Sequence, residues 1–207
     1  MIRNGTQPTL FWRLAQGANV RRALVVLTFI LAGTAPMASG GEADGPTKEF
    51  KVKAAFLFNF ALFTEWPEDA FPSPKAPFCI GVLGKDPFGD ILEETLKGKM
   101  VSGRPIEIRR FKDLKEYKPC HILFVGETGK DNLETLAKTL KSAGVLTVSD
   151  IQGFAEKTGI LQFRIIDNRV RFEINLDAAN RARLKISSKL LKVAEKVIKD
   201  EAVPNGK

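Results

Sequence analysis

Cys120 and His121 stand side by side, and a thiol next to an imidazole is the smallest pairing that can do nucleophilic chemistry. They open an apolar run, Cys120-His121-Ile122-Leu123-Phe124-Val125, that reads as a β-strand. Neighbours along a strand point to opposite faces, so this imidazole is not placed to take the proton of this thiol. The only other cysteine, Cys79, begins a similar run, Phe78-Cys79-Ile80-Gly81-Val82-Leu83. One histidine and two strand cysteines do not assemble a zinc site, and no nucleophile elbow, P-loop or dinucleotide fingerprint occurs. No catalytic residue, metal ligand or cofactor is assigned, and the chain is not expected to be an enzyme.

A second place for chemistry lies where a strand hands over to a helix. Gly84, Lys85 and Asp86 follow the first cysteine run, while Gly126 and Glu127 follow the second. In open α/β sheets, ligands bind outside the carboxyl ends of the strands, where helix N-termini attract anions. These five residues would line one crevice if the two runs are neighbours. Tight turns after strands require glycine in any case, so the same residues are also explained without a ligand. Asp90, Glu93 and Glu94 read as solvated partners of a helix dipole.

The elements that must position these residues begin after a segment of a different kind. Residues 1–40 hold four arginines, no acid and a short apolar run from Ala23 to Ala32, the order of a secretory signal. That run is shorter than the roughly 20 apolar residues a membrane-crossing helix needs. Small residues at Ala38 and Gly40 favour cleavage after Gly40. Residues 41–47 read as a flexible leader, 48–199 as a single domain and 200–207 as a tail. The full chain has 32 basic and 24 acidic residues. Without the four arginines of the leader the balance is 28 minus 24, or +4, and the basic residues are interleaved with acids rather than clustered. Nucleic-acid binding is therefore not expected. In an exported chain two cysteines point to a disulfide, with two buried free thiols as the alternative. If the two runs are parallel neighbours, both sulfurs lie at the same sheet edge, within reach of a bridge.

From Lys48 to Glu65 helix formers and phenylalanines alternate, with Phe56, Phe60 and Phe63 falling on one face beside Val52. Such a helix is sandwiched or forms an interface. After the proline-rich connector 72–77, strands at 78–84, 106–111, 120–126 and 145–148 alternate with helices at 90–96 and 131–142, with a short helix or turn at 150–159. Two β-rich runs, 160–166 and 169–175, flank Asp167-Asn168, a hairpin turn. The spacing of Leu190, Leu191, Ala194, Val197 and Ile198 predicts an amphipathic helix to the end of the domain. The fold expected is α/β, a three-layer sandwich with a mostly parallel sheet, a C-terminal antiparallel hairpin and helices on both faces. Its parallel strands are expected in the order 2-1-3-4.

The run Phe50-Lys51-Val52-Lys53-Ala54-Ala55-Phe56-Leu57-Phe58-Asn59-Phe60, closing in Glu65-Trp66-Pro67, resembles the opening helix of the YfiR-like periplasmic proteins. Arg169 to Ala179, continuing through Leu184 to Leu191, is similar to that family's carboxyl-terminal signature, as is Leu146-Thr147-Val148-Ser149-Asp150 with Gly153-Phe154-Ala155. The resemblance implies a homodimeric periplasmic regulator that binds the periplasmic part of an inner-membrane diguanylate cyclase, or another receptor, and lowers cyclic di-GMP and biofilm formation. It implies sequestration by an outer-membrane lipoprotein and matches Cys79 and Cys120 to the family's structural disulfide. A second disulfide found in some relatives has no cysteines here. The hairpin and following helix are implicated in partner contact, which makes Phe172, Glu173 and Asn175 the partner-binding candidates. The rival expectation is a periplasmic small-molecule sensor that uses the crevice of Gly84 and Gly126.

Overall fold

A computed structural model describes residues 46–127, 133–140 and 144–199 of the chain. The segments expected as signal and tail, most of the expected leader and the ends of the helix expected at 131–142 lie outside the described residues.

In chain order the structure has helix α1 (Pro46–Leu62), the short strand β1 (Thr64–Glu65), a 3-10 turn at Glu68–Ala70, β2 (Phe78–Leu83), α2 (Ile91–Leu96), β3 (Met100–Val101) and β4 (Arg104–Phe111). There follow β5 (Ile122–Val125), α3 (Leu133–Leu140), β6 (Leu146–Ser149) and α4 (Phe154–Lys157). The chain then forms β7 (Leu161–Ile166), β8 (Arg169–Asn175), α5 (Leu176–Arg181), β9 (Lys185–Ile186), α6 (Ser188–Val193) and β10 (Lys196–Ile198). Eight strands form one mixed sheet in the order β10-β8-β7-β6-β5-β2-β4-β3, and β1 pairs with β9 in a separate small sheet. Strands β4, β2, β5, β6 and β7 run parallel, and β7 turns back antiparallel into β8. The order β4-β2-β5-β6 is the expected 2-1-3-4.

Side-chain alternation along the strands divides the core in two. Phe78, Ile80, Val82, Ile122, Phe124, Leu146 and Val148 face one cluster, which α1, α2, α5 and α6 cover. Cys79, Leu83, Leu123 and Val125 face the other, under α3 and α4. Both faces of the central strands β2, β5 and β6 are covered, which is why they read as nearly continuous apolar runs.

The opening helix buries Lys53, Ala54, Leu57, Phe60 and Ala61. This stripe differs from the expected one: Val52 lies outside it, exposed. Phe56 and Phe60 form an aromatic cluster with Phe163 of β7 and Phe172 of β8, with ring centroids 5.1–6.1 Å apart. Offset and edge-on pairs of this kind add about 0.5–1.5 kcal/mol each beyond area burial.

The C-terminal segment corrects the sequence reading. The helix expected through Ile198 ends at Val193, and Ala194 is extended, with φ −68° and ψ 140°. Lys196–Ile198 pair parallel with Glu173–Asn175 of β8. Val197 and Ile198 are β-branched, and β8 would otherwise be an unpaired edge, so ladder bonds outweigh the helical spacing. The β3–β4 hairpin, turning through Ser102 (φ 51°) and Gly103 (φ 77°), was not anticipated from the sequence.

Phe60→Ala should lower the unfolding free energy by about 3–5 kcal/mol, because it empties a fully buried ring site. Leu62→Ala, on the exposed side of the same helix, should change it by less than about 0.5 kcal/mol. Urea denaturation of the two variants checks the contrast.

Candidate functional site

The β7–β8 hairpin carries the most distinctive surface of the described residues. Its two-residue turn places Asp167 at φ 49° and Asn168 at φ 56°, the left-handed geometry of a type I′ turn. That turn pairs Ile166 with Arg169 and fixes the register back to Leu161 opposite Ile174. One face of the hairpin is apolar: Leu161, Phe163, Phe172 and Ile174 are buried beneath α1. The other carries Gln162, Arg164, Arg171, Glu173 and Asn175, by the period of two along each strand.

The hydrogen-bonding phase of the hairpin follows from one contact. The Asn175 amide donates to the Ile160 carbonyl at 2.7 Å, so 160/175 is a hydrogen-bonded pair. Alternation makes 162/173, 164/171 and 166/169 the next such pairs, and turns the N–H and C=O of Leu161, Phe163 and Ile165 to the opposite edge. At that edge β6 reaches Leu161 and, through the Ser149↔Gln162 pair, the Phe163 N–H, and it ends at Ser149. No strand among the described residues pairs there with Arg164–Ile166.

Where β6 stops, a cleft of about 400 Å³ opens beside β7, lined by Glu49, Lys53, Asp150, Gln162, Phe163 and Arg164, among others. Lys53 is buried, and its ammonium donates to Glu49 Oε1 at 2.6 Å and Asp150 Oδ2 at 2.9 Å, over the Phe50 ring at 4.9 Å. This joins α1 to the loop after β6, with the cation buried and both carboxylates partly open to solvent. Gln162 is 1% exposed; its Oε1 accepts from the Ala155 amide, while its Nε2 has no partner among the described residues. Arg164 reaches Glu173 Oε1 at 3.3 Å. Arg171 stands directly across from Arg164 and has no ion-pair partner among the described residues. Lys53, Asp150 and Gln162 were not singled out from the sequence. A lysine on the inner stripe of an apolar helix, four residues after Glu49, was the available signal.

The sequence-predicted partner residues are close together, but none offers an open surface. Phe172 is 2% exposed, within the aromatic cluster. Glu173 is held by Arg164, and Asn175 caps α5 by accepting from the Ala178 amide at 2.8 Å while donating to the Ala155 carbonyl at 2.7 Å. They set the position of the hairpin and of α5.

The five crevice residues also meet, but the turn lies down on the end of β5. A Cβ on Gly126 would come 2.2 Å from the Lys85 carbonyl oxygen, so only glycine permits this approach. Asp86 accepts from the Phe88 amide at 2.7 Å and from Arg110 Nε at 2.6 Å, and Arg110 also binds Glu93. The Arg110 guanidinium holds the Glu93 carboxyl below its usual range. Gly84 (φ 84°) donates to the Phe111 carbonyl, and Glu127 follows Gly126 on the same turn.

Cys79 and Cys120 are free thiols, both buried on the same face of the sheet. A side chain on Gly81 would meet Cys120 Sγ at 3.0 Å, so this glycine leaves room for the sulfur. Burial pushes the thiol of Cys79 up to about 11 and that of Cys120 up to about 12, with the neighbouring Cys79 adding to the shift at Cys120. Nothing activates either as a nucleophile. His121 points to the other face, stacked between Phe71 (4.3 Å) and Phe78 (4.8 Å). Its Nδ1 accepts from the Cys79 amide at 2.9 Å, which leaves Nε2–H to donate to the Ala70 carbonyl at 3.1 Å. Burial lowers its pKa, and protonating Nδ1 would break the Cys79 bond.

A sequence model of the family described as YfiR/HmsC-like matches residues 50–195. No curated protein matches the chain. Among solved structures, "the ABC domain in complex with L-Trp from Streptococcus pneumonia" is similar, with 16% identity and a TM-score of 0.44. The likeness covers 58% of this chain and 55% of that one, so the chain spans about half the length of that structure.

His121 gives a signature in pH. The folded state favours its neutral form, so the unfolded chain binds the proton more readily below the ordinary value of 6.5. Stability should be complete above that pH and fall as pH drops below 6.5 toward the lower value of the folded imidazole. His121 is the only histidine, and the carboxylates titrate lower, so His121→Gln should flatten this window. Urea midpoints measured across it check the slope.

Proposed function

The chain belongs to the YfiR/HmsC-like family, and from that premise we propose that it is a periplasmic regulator that binds and represses an inner-membrane signalling protein. The family is one of periplasmic regulators of diguanylate cyclases, regulatory rather than catalytic. The partner proposed here is the periplasmic part of a diguanylate cyclase, and the outcome of binding is less cyclic di-GMP. The observation that carries this reading is the extent of the match: residues 50–195 run from the first turns of α1 through α6, so every element but the edge strand β10 lies at least partly within it. No described helix is long and apolar enough to cross a membrane, which suits a protein delivered to its receptor by a cleaved signal at residues 1–40.

The proposal extends to the cysteines. Their shared face, the space left by Gly81 and the backbone bond from the His121 amide to the Cys79 carbonyl at 2.9 Å support a Cys79–Cys120 disulfide in an oxidising compartment. Homodimer formation and sequestration by an outer-membrane lipoprotein belong to the same reading. The hairpin is its partner-facing element, positioned by Phe172, Glu173 and Asn175.

Two measurements test this reading. Expressed with its leader beside a tagged cyclase, the chain should be shortened at its N-terminus, enter the periplasmic fraction, co-purify with the cyclase and lower cyclic di-GMP several-fold. Unchanged cyclic di-GMP with no co-purification would contradict the function. Protein from that fraction, denatured without reductant, should leave both cysteines unlabelled by a thiol reagent. Reduction should then lower the unfolding free energy by roughly 4 kcal/mol, the loop-closure value for this spacing.

A further inference from the structure

We propose that the open edge of β7 at Phe163 and Ile165 accepts an extended acidic segment of the partner protein as an added strand, with a carboxylate seated against Gln162 and Arg164. This assignment rests on the partner-binding function proposed above and deepens it.

The backbone provides the first argument. Phe163 and Ile165 turn their N–H and C=O groups away from β8; the Ser149↔Gln162 pair takes up the Phe163 N–H, and the Phe163 C=O and the Ile165 N–H and C=O lie beyond the end of β6. Unpaired strand edges are templates for a further strand, and natural proteins cover, shorten or charge them. This edge lies inside a large sheet at the point where its neighbour stops, beside a cleft of about 400 Å³. Ile165 is 51% exposed at the mouth of that cleft, a large apolar side chain with no cover. Main-chain bonds would supply affinity there, and alternate side chains of the added strand would supply specificity.

The side chains choose the chemistry of the occupant. Gln162 holds a buried Nε2 donor with no acceptor among the described residues, and its Oε1 is committed to the Ala155 amide, which fixes the amide's orientation. An orphaned buried donor is unfavourable until something accepts from it. Two residues on, on the same face and beside the same cleft, stands Arg164. Across from it is Arg171, and like charges directly opposite on a sheet are destabilising. Glu173 offsets part of that charge, at 3.3 Å from Arg164. Glu49 and Asp150 of the same cleft are both taken by Lys53, and Glu173 is taken by Arg164, so the Gln162 donor and Arg171 are left without a partner among the described residues and call for one more negative oxygen. An aspartate or glutamate on the added strand, pointing to this face, supplies it.

Two substitutions separate edge pairing from folding. Ile165→Pro removes an N–H that faces the cleft and not β8, a position where proline is tolerated on an edge. Arg171→Glu replaces an opposed arginine with a carboxylate that pairs with Arg164, so it should hold or raise the urea midpoint while repelling an acidic strand. The probe is a blocked peptide of about eight residues alternating valine and glutamate, a usual strand length, with the valine–lysine peptide as control. The native protein should bind the acidic peptide and not the basic one. Ile165→Pro should weaken binding about tenfold, the scale of one well-made hydrogen bond. Arg171→Glu should weaken it without loss of stability.

Failure of the native protein to prefer the acidic peptide, or equal binding by both variants, overturns the assignment. A dimer seen in sedimentation that Ile165→Pro dissolves also overturns it, since the edge would then pair with a second copy of the chain. The same variants in the cyclase co-purification distinguish the two levels of the argument. Retention of the native chain and of both variants sinks the edge assignment alone, whereas no retention of the native chain sinks the function proposed above.

Discussion

Four phenylalanine rings, Phe56 and Phe60 on α1 with Phe163 and Phe172 on the hairpin, hold the antiparallel end of the sheet to its first helix. The rest of the molecule is arranged around that joint. Strands β2, β5 and β6 form a parallel block buried on both faces, with the half-exposed β4 beside them, while β7 and β8 have one face sealed by α1 and one that is polar. The Lys53 ammonium, between Glu49 and Asp150, adds a charged tie at the edge of the same joint. With the apolar face of the hairpin locked in place, its polar face and its free edge have a fixed geometry to offer a partner.

Much of the fold was legible because the signals were periodic. The two cysteine runs alternate between two buried faces and could only be covered strands, and Asp167-Asn168 set the hairpin register through left-handed turn residues. The C-terminal segment was misread for a physical reason. Val197 and Ile198 fit a helical spacing as well as a strand, and what decided between them was the open edge of β8, which appears only once the sheet is assembled. The outward position of Val52 has a related cause: a helix apolar nearly all round gives no sequence signal for which side meets the sheet.

The site was less legible than the fold. Its defining feature is an absence, the early end of β6 at Ser149, and strand length is set by what the loop after Ser149 does with Asp150. Gln162 reads as an ordinary strand glutamine until its oxygen is seen to be bound to the Ala155 amide and its nitrogen left over. Phe172, Glu173 and Asn175, singled out through family resemblance, lie on the β7–β8 hairpin as buried residues that hold it in position. The glycines of the strand-to-helix turn are explained by close backbone approach, with the Lys85 carbonyl resting on Gly126.

The proposed regulatory role rests on one structural element, a hairpin held by α1 whose edge continues beyond the end of β6. Hydrogen–deuterium exchange of the chain, alone and with the periplasmic part of the cyclase, tests that connection most directly. Slowed exchange concentrated at the amide of Ile165 on adding the partner is the predicted result. Binding that leaves that amide unchanged, with protection elsewhere such as the β3–β4 end of the sheet, would contradict it.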